Sequence, residues 1–394
     1  MSYALSPQIT SVHFPPISEV RLWATARGTV PGTPLIDLCQ AVPDYPPADG
    51  LIGQMATLLA DPLTARYTPD EGLPEVREAL AARYRRIYGA ALDRENICLT
   101  IGASQAFWLA IMALCRAGDE VVVQTPYYFD HDMALAMLGI RRRYAPFDAA
   151  SGGLPSLAAI AGLITARTRA ILLVTPSNPT GAVTPPGLLA ELYQLAAQHG
   201  IALLLDETYA DFIATADPPH ALFTDPAWGE HLIQIMSFGK TYSLTGFRAG
   251  ALVAGKELLH HALKAQDTMV VCQPRLTQLA LRYAADNLDG WVQDNCRMMA
   301  DRHERFCAEF ALPGNPFRLI TSGSFFGWVQ HPFAGLSGRQ AAKKLLDEAG
   351  LLTLPGEVFG PGFEGYLRLA LGNIGAELIP EAVARLRNFP AEGP

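Results

Sequence analysis

A lysine amine condenses with carbonyl groups when its surroundings lower its pKa, and Lys240 sits in a stretch suited to that use. The stretch reads Ser237-Phe238-Gly239-Lys240-Thr241-Tyr242-Ser243-Leu244-Thr245-Gly246-Phe247-Arg248. It follows an apolar run, Leu232 to Met236, whose pattern predicts a buried strand. The lysine therefore falls at the C-terminal end of a strand, where open α/β sheets bind ligands. Ser237, three residues before it, and Arg248, eight after, can grip a phosphate. The plainer alternative is a surface loop carrying a routine lysine.

Five further clusters fall at predicted strand ends or in loops, and each offers something a phosphate-bearing pyridine cofactor needs. Thr100-Ile101-Gly102-Ala103-Ser104 lies between a strand and a helix. Small residues there expose backbone N–H groups at the positive end of the helix dipole, although such turns are as often simple caps. Pro126-Tyr127-Tyr128 can cover a planar ring or merely fill a core. Ser177-Asn178-Pro179-Thr180-Gly181 reads by itself as a turn. Asp206 follows Leu203-Leu204-Leu205, and a carboxylate at the end of an apolar strand needs a cation, such as a protonated pyridine nitrogen. A helix cap is its other reading. Arg368 lies among leucines in Tyr366-Leu367-Arg368-Leu369-Ala370-Leu371, where a substrate carboxylate or an internal one must meet it.

The elements expected to position these residues alternate along the chain. Strands are predicted at Ile97–Ile101, Glu120–Gln124, Ala170–Val174, Ala202–Leu205, Gln234–Ser237 and Arg248–Val253. Helices are predicted at Glu75–Tyr88, Gln105–Cys115, Asp132–Leu138 and Gly187–His199. This alternation means crossover connections and a mostly parallel sheet sandwiched by helices. A long helix from Trp291 to Phe310, then Ser324–Val329, Arg339–Ala349 and Tyr366–Ala370, reads as a smaller α+β domain. The expected division is 1–47 as an arm with one short helix and part of the small domain, 48–288 as the large domain, and 289–394 as the small one.

At 394 residues, with 50% apolar and 17% charged residues, a two-domain α/β enzyme is the expectation. The net charge of −8 and the lack of Lys/Arg blocks argue against a nucleic-acid partner. Six cysteines without a C-x-x-C pair suggest reduced thiols and a cytoplasmic setting. No apolar run reaches the ~20 residues of a membrane helix, and Met1–Thr10 lacks signal-peptide features. His303-Glu304-x-x-Cys307 lacks a second histidine, and no metal site is expected.

The order of these clusters resembles that of class I/II aminotransferases, fold-type I enzymes dependent on pyridoxal phosphate. The resemblance runs from about Ile36 to Asn373 and takes in Pro43-Asp44 and Tyr67-Thr68-Pro69-Asp70-Glu71-Gly72. It implies that Lys240 carries the cofactor and shuttles protons, that Asp206 pairs with the pyridinium, and that Tyr209 and Asn178 bind the ring hydroxyl. It further implies that Tyr128 stacks on the ring and that Ser104, the Ala103 amide, Ser237 and Arg248 hold the phosphate. Arg368 would take the substrate α-carboxylate. Tyr67 would reach the phosphate of a neighbouring subunit, implying a homodimer. Ala41 stands where the family usually has glycine beside the substrate. No residue matches a second arginine for a side-chain carboxylate, so neutral amino acids are the expected substrates, with 2-oxo acids as partners.

Two rival readings remain at this level. A C–S β-lyase shares nearly all of these residues. Gly102-Ala103-Ser104-Gln105-Ala106 also resembles a serine-hydrolase elbow, with Asp206 and then His220 or His231 following in the required order.

Overall fold

The computed structural model describes residues 3–215 and 217–390, so the ends of the expected segments, 1–2 and 391–394, lie outside it. Its centre is a seven-stranded sheet in the order 97–101, 249–253, 232–237, 202–206, 168–174, 120–124, 141–145. Six strands point one way and Ala249–Val253 runs against them. The inner strands are nearly continuous apolar runs because helices cover both faces. Leu203 and Leu205 enter one apolar cluster with residues of helices Pro74–Tyr88 and Pro186–Gln198. Leu204 enters the other, with residues of Ala103–Leu114 and Lys256–Val270. All three leucines are fully buried, each stabilising the sheet by about 1.5–3 kcal/mol.

A second, antiparallel sheet has the order 354–355, 366–370, 326–330, 318–323. Helices Asp289–Phe310 and Ile379–Arg387 share its apolar cluster. Ile36–Asp37 pairs in parallel with Leu351–Leu352, which ties the leading stretch to this second unit. Gly181, with φ at +75°, brings the two units together: a Cβ there would lie 2.2 Å from the Gly323 amide nitrogen. Among the described residues, no helix is long and apolar enough to cross a membrane.

The structure departs from expectation in several places. The leading stretch carries two helices, Pro7–Thr10 and the 12-residue Pro16–Arg27. One short helix was expected in this arm; proline costs little at the first helical position, so Pro7 and Pro16 each start one. The helix predicted from Asp132 begins at Phe129, with Asp130 and Asp132 in its first turn, where carboxylates suit the dipole. The segment expected as Ser324–Val329 is a hairpin of Arg318–Gly323 and Phe326–Gln330 that turns at Ser324, φ +50°. The helix expected over Arg339–Ala349 is regular only to Lys344, then widens to a π turn over Leu345–Ala349.

Candidate active site

A cavity of about 280 Å³ opens at the C-terminal ends of the parallel strands, near the lower end of the range for small-molecule sites. Val174, Asp206 and Ser237 each end a strand and line it. Of the residues singled out from sequence, Ala103, Ser104, Tyr128, Asn178, Tyr209, Lys240 and Arg248 line it too.

Lys240 sits on a single helical turn, Phe238–Thr241, directly after its strand. Burial, then the charges of Arg248 and Arg368, push its amine from 10.5 down to about 8, with Asp206 pulling the other way. Thr241 Oγ1 anchors the turn by donating to Asp211 Oδ2 at 2.6 Å. The Asp211 Oδ1 atom lies 2.5 Å from Arg83 Nη2 on a buried helix. Beyond the turn, Ser243 Oγ donates to the Tyr45 carbonyl at 2.6 Å, tying the lysine segment to the leading stretch.

Asp206 is buried and accepts from the Thr208 amide at 3.0 Å. His131 Nε2 lies 3.1 Å from its Oδ2. Burial alone would raise the Asp206 pKa, but the hydrogen bonds from His131 and Thr208 and the His131 charge together outweigh it. The carboxyl is held below its ordinary value and stays ionised. The His131 ring stacks on Phe107 at 4.2 Å and meets Tyr128 edge-on at 5.1 Å. His131 and Phe107 were missed in the sequence. No pattern marked His131, because the helix that carries it begins at Phe129, three residues before the expected start. Trp108, Asp130 and Thr208 complete the lining and were also missed.

An anion cup forms where helix Ala103–Leu114 begins. Its first N–H groups lack partners within the helix. Arg248, at φ +57°, crosses over Gly102, where a Cβ would lie 2.4 Å from its Nη2. Gly102 itself has φ +85°, a conformation that favours glycine. The guanidinium donates to the carbonyls of Thr245 (3.0 Å) and Ile101 (3.3 Å) and still lines the cavity.

Three expected residues stand off the cavity wall. Arg368 lies behind it, fully buried, donating to Asn178 Oδ1 at 2.9 Å and to the Cys39 carbonyl. Its guanidinium also packs over Phe326 and Phe359. Burial lowers its pKa, and among the described residues its hydrogen-bond acceptors are the Asn178 amide oxygen and the Cys39 carbonyl rather than a carboxylate. Ala41 is buried in the apolar cluster that also holds Tyr209. Tyr67 is 79% exposed.

The hydrolase arrangement is not assembled. Asp206 meets His131, which precedes it in the chain. His220 Nε2 lies 3.0 Å from Glu207, and His231 Nδ1 is 3.1 Å from the Ile201 carbonyl. No described histidine bonds Ser104.

The donor set fits a pyridoxal phosphate: an anion cup, an ionised buried carboxylate, a stacking wall and a lysine of lowered pKa. The sheet and its strand-end cavity define a fold-type I enzyme. The sequence model for aminotransferase class I and II matches residues 33–386, and the chain belongs to that family. It is a pyridoxal-phosphate-dependent enzyme that transfers amino groups between amino acids and 2-oxo acids. An aromatic aminotransferase of Arabidopsis thaliana is 27% identical, covering 89% of each chain. An arginine–pyruvate transaminase of Pseudomonas aeruginosa is 30% identical, covering 92% of this chain and 91% of its own. A mutant of the Thermus thermophilus aspartate aminotransferase superposes with a TM-score of 0.89 at 26% identity, covering 98% of this chain and 99% of its own.

Proposed function

We propose that this chain is a homodimeric, cytoplasmic aminotransferase preferring neutral amino acids, aromatic or aliphatic, by a ping-pong route. The observation that carries the reading is a lysine of lowered pKa and an ionised buried carboxylate lining one cavity, with an uncompensated guanidinium behind it. When bound, pyridoxal phosphate supplies a carbonyl for amines and a ring that withdraws electrons from the substrate α-carbon. In this reading, Asp206 keeps a proton on the ring nitrogen, with His131 and Thr208 orienting its carboxylate. Tyr128 covers the ring face, Tyr209 and Asn178 bond the ring oxygen, and Ser104, the Ala103 amide, Ser237 and Arg248 hold the phosphate. Arg368 orients the substrate α-carboxylate from beneath Asn178. Lys240, its amine lowered to about 8, takes the α-proton at Nζ in its neutral form and returns it.

The preference for neutral side chains rests on the cavity lining. Its only described lysine and arginine, Lys240 and Arg248, have tasks at the cofactor, so none is free for a second carboxylate. An unpaired carboxylate in a dry pocket costs several kcal/mol, whereas apolar burial contributes about 25 cal/mol per Å². The relatives' names span aromatic, arginine, diaminopimelate and aspartate substrates, and so do not decide the matter. Ala41, buried with Tyr209, adds bulk beside the substrate. Dimerisation is supported by exposed Ile52, Leu59, Leu63 and Tyr67, along one stretch packed against helix Arg275–Asn287. From there Tyr67 would reach the partner's phosphate. The domain division into 1–47, 48–288 and 289–394 belongs to the same reading. The cytoplasmic assignment is supported by six free cysteines.

Borohydride should fix the cofactor on Lys240, located by peptide mapping. Cofactor-free protein should recombine with pyridoxal phosphate at a rate that rises through about pH 8 and then levels. The sign follows from the lowered pKa: the neutral amine condenses, and it dominates above pH 8. A rate still climbing toward pH 10.5 would refute the assignment. An amino-donor panel should rank neutral substrates above aspartate, and rapid pyruvate release from cystathionine without a 2-oxo acid would indicate a lyase instead.

A further inference from the structure

We propose that Asp130 is a specificity-determining residue that filters both substrates by side-chain charge, repelling a second carboxylate on the amino donor and on the 2-oxo acceptor. The inference rests on reading the cavity as an aminotransferase site. Asp130 lines that cavity from the first turn of helix Phe129–Met137. Tyr128 Oη donates to its Oδ2 at 2.6 Å, which places the carboxylate beside the ring-stacking tyrosine. Among the described residues it makes no ion pair, whereas neighbouring Asp132 is paired with Arg142 at 3.0 Å.

Tyr128, Asp130 and Tyr209 line the same cavity. Burial raises the Tyr128 phenol first, and Asp130 raises it further. Burial also raises Tyr209, against Arg368, and Asp206 and then Asp130 add to the rise. In the proposed reading, Tyr128 covers the cofactor ring and Tyr209 bonds its oxygen, so Asp130 acts beside both. The other charged lining groups are committed. Asp206 is bonded to His131 and Thr208, Arg248 covers the anion cup, and Lys240 carries the cofactor. A substrate bearing a distal carboxylate therefore meets an unpaired negative charge with no local cation to offset it.

In a ping-pong enzyme, donor and acceptor occupy the same cavity in turn. The filter must then act on both half-reactions, favouring an uncharged acceptor such as pyruvate over 2-oxoglutarate. The plainer role for Asp130 is to complement the helix dipole. That role predicts an effect on stability and none on the ratio between isosteric substrates.

The test compares glutamine with glutamate, which match in shape and differ in charge, in the holoenzyme and in Asp130→Asn. Asparagine keeps the size and still accepts from Tyr128. The glutamine-to-glutamate ratio of kcat/KM should fall by roughly tenfold or more in the variant, and the pyruvate-to-2-oxoglutarate ratio likewise. Asp130→Glu should restore much of the discrimination. In the same proteins, equilibrium binding of butyrate and glutarate by calorimetry reads the charge filter without turnover. Glutarate should gain relative to butyrate in Asp130→Asn. Ratios unchanged in both measurements overturn the proposal. Absence of turnover on every donor would refute the aminotransferase reading separately, and the binding ratio would still decide the charge filter.

Discussion

Asp206→Ala is expected to cut turnover by a factor on the order of 10³ or more while leaving the cofactor attached. The carboxylate is buried, and its hydrogen bonds from His131 and Thr208 hold it ionised against the cost of burial. A buried anion kept ionised in this way can retain a proton on a ring nitrogen beside it. Charge stabilisation at a reacting centre in a water-poor site contributes a few kcal/mol, and about 1.4 kcal/mol corresponds to each tenfold in rate. In the proposed reading, attachment depends on other lining residues, namely Lys240 and the cup of Ser104, Ser237 and Arg248. Single-turnover kinetics with the best donor, alongside the near-visible absorbance of the variant, separates the two effects. Turnover close to that of the unaltered protein would mean that Asp206 only caps the backbone after its strand. Asp206→Asn should also be slow, since the amide keeps the shape without the charge.

The parts of the fold legible in the sequence are those with a local pattern. Leu203–Leu205 and Leu232–Met236 are apolar over too short a run for a helix, and each ends in a polar side chain at the cavity, Asp206 and Ser237. The strand Arg141–Ala145 was not legible. It begins with three arginines, and as the sheet's edge it can leave them to solvent, with Arg142 leaning on Asp132. The leading stretch was expected to hold one short helix without a place for it; Pro16 starts a 12-residue helix there, and Pro7–Thr10 is a second.

The site divides along the same line. Residues at strand ends announce themselves by position, and Asp206 and Lys240, singled out that way, both line the cavity. His131 and Asp130 were missed because their helix begins three residues earlier than the pattern suggests, which moves them from a loop onto the cavity wall. Arg368 could be read as needing an anion, but its actual neighbours, Asn178 and the Cys39 carbonyl, lie 190 and 329 residues away. Contacts at such separations are set by how the two sheets meet at Gly181 and Gly323, and nothing local in the chain encodes them.

Asp211→Ala should destabilise the protein by about 3–5 kcal/mol, among the largest single effects available outside the core. Its carboxylate joins the turn after Tyr209, the lysine turn through Thr241, and the helix Pro74–Tyr88 through Arg83. The Arg83 side chain is 4% exposed, and its Nε already lacks a partner. Without Asp211 a guanidinium only 4% exposed loses its counter-charge, and only water from the cavity that Arg83 and Asp211 line can take its place. Asp211→Asn should cost less than alanine, because the amide oxygen can still accept from Thr241 or Arg83. Urea unfolding of the cofactor-free forms, compared at equal pH, gives both numbers. The lysine turn should also loosen, so the alanine variant should release pyridoxal phosphate faster on dilution, which a mere loss of surface charge would not cause. A change below about 1 kcal/mol would mean that the pair is solvated in solution, as exposed ion pairs are. The order alanine, then asparagine, then the unaltered chain is the signature of a counter-ion that also anchors the catalytic lysine's turn.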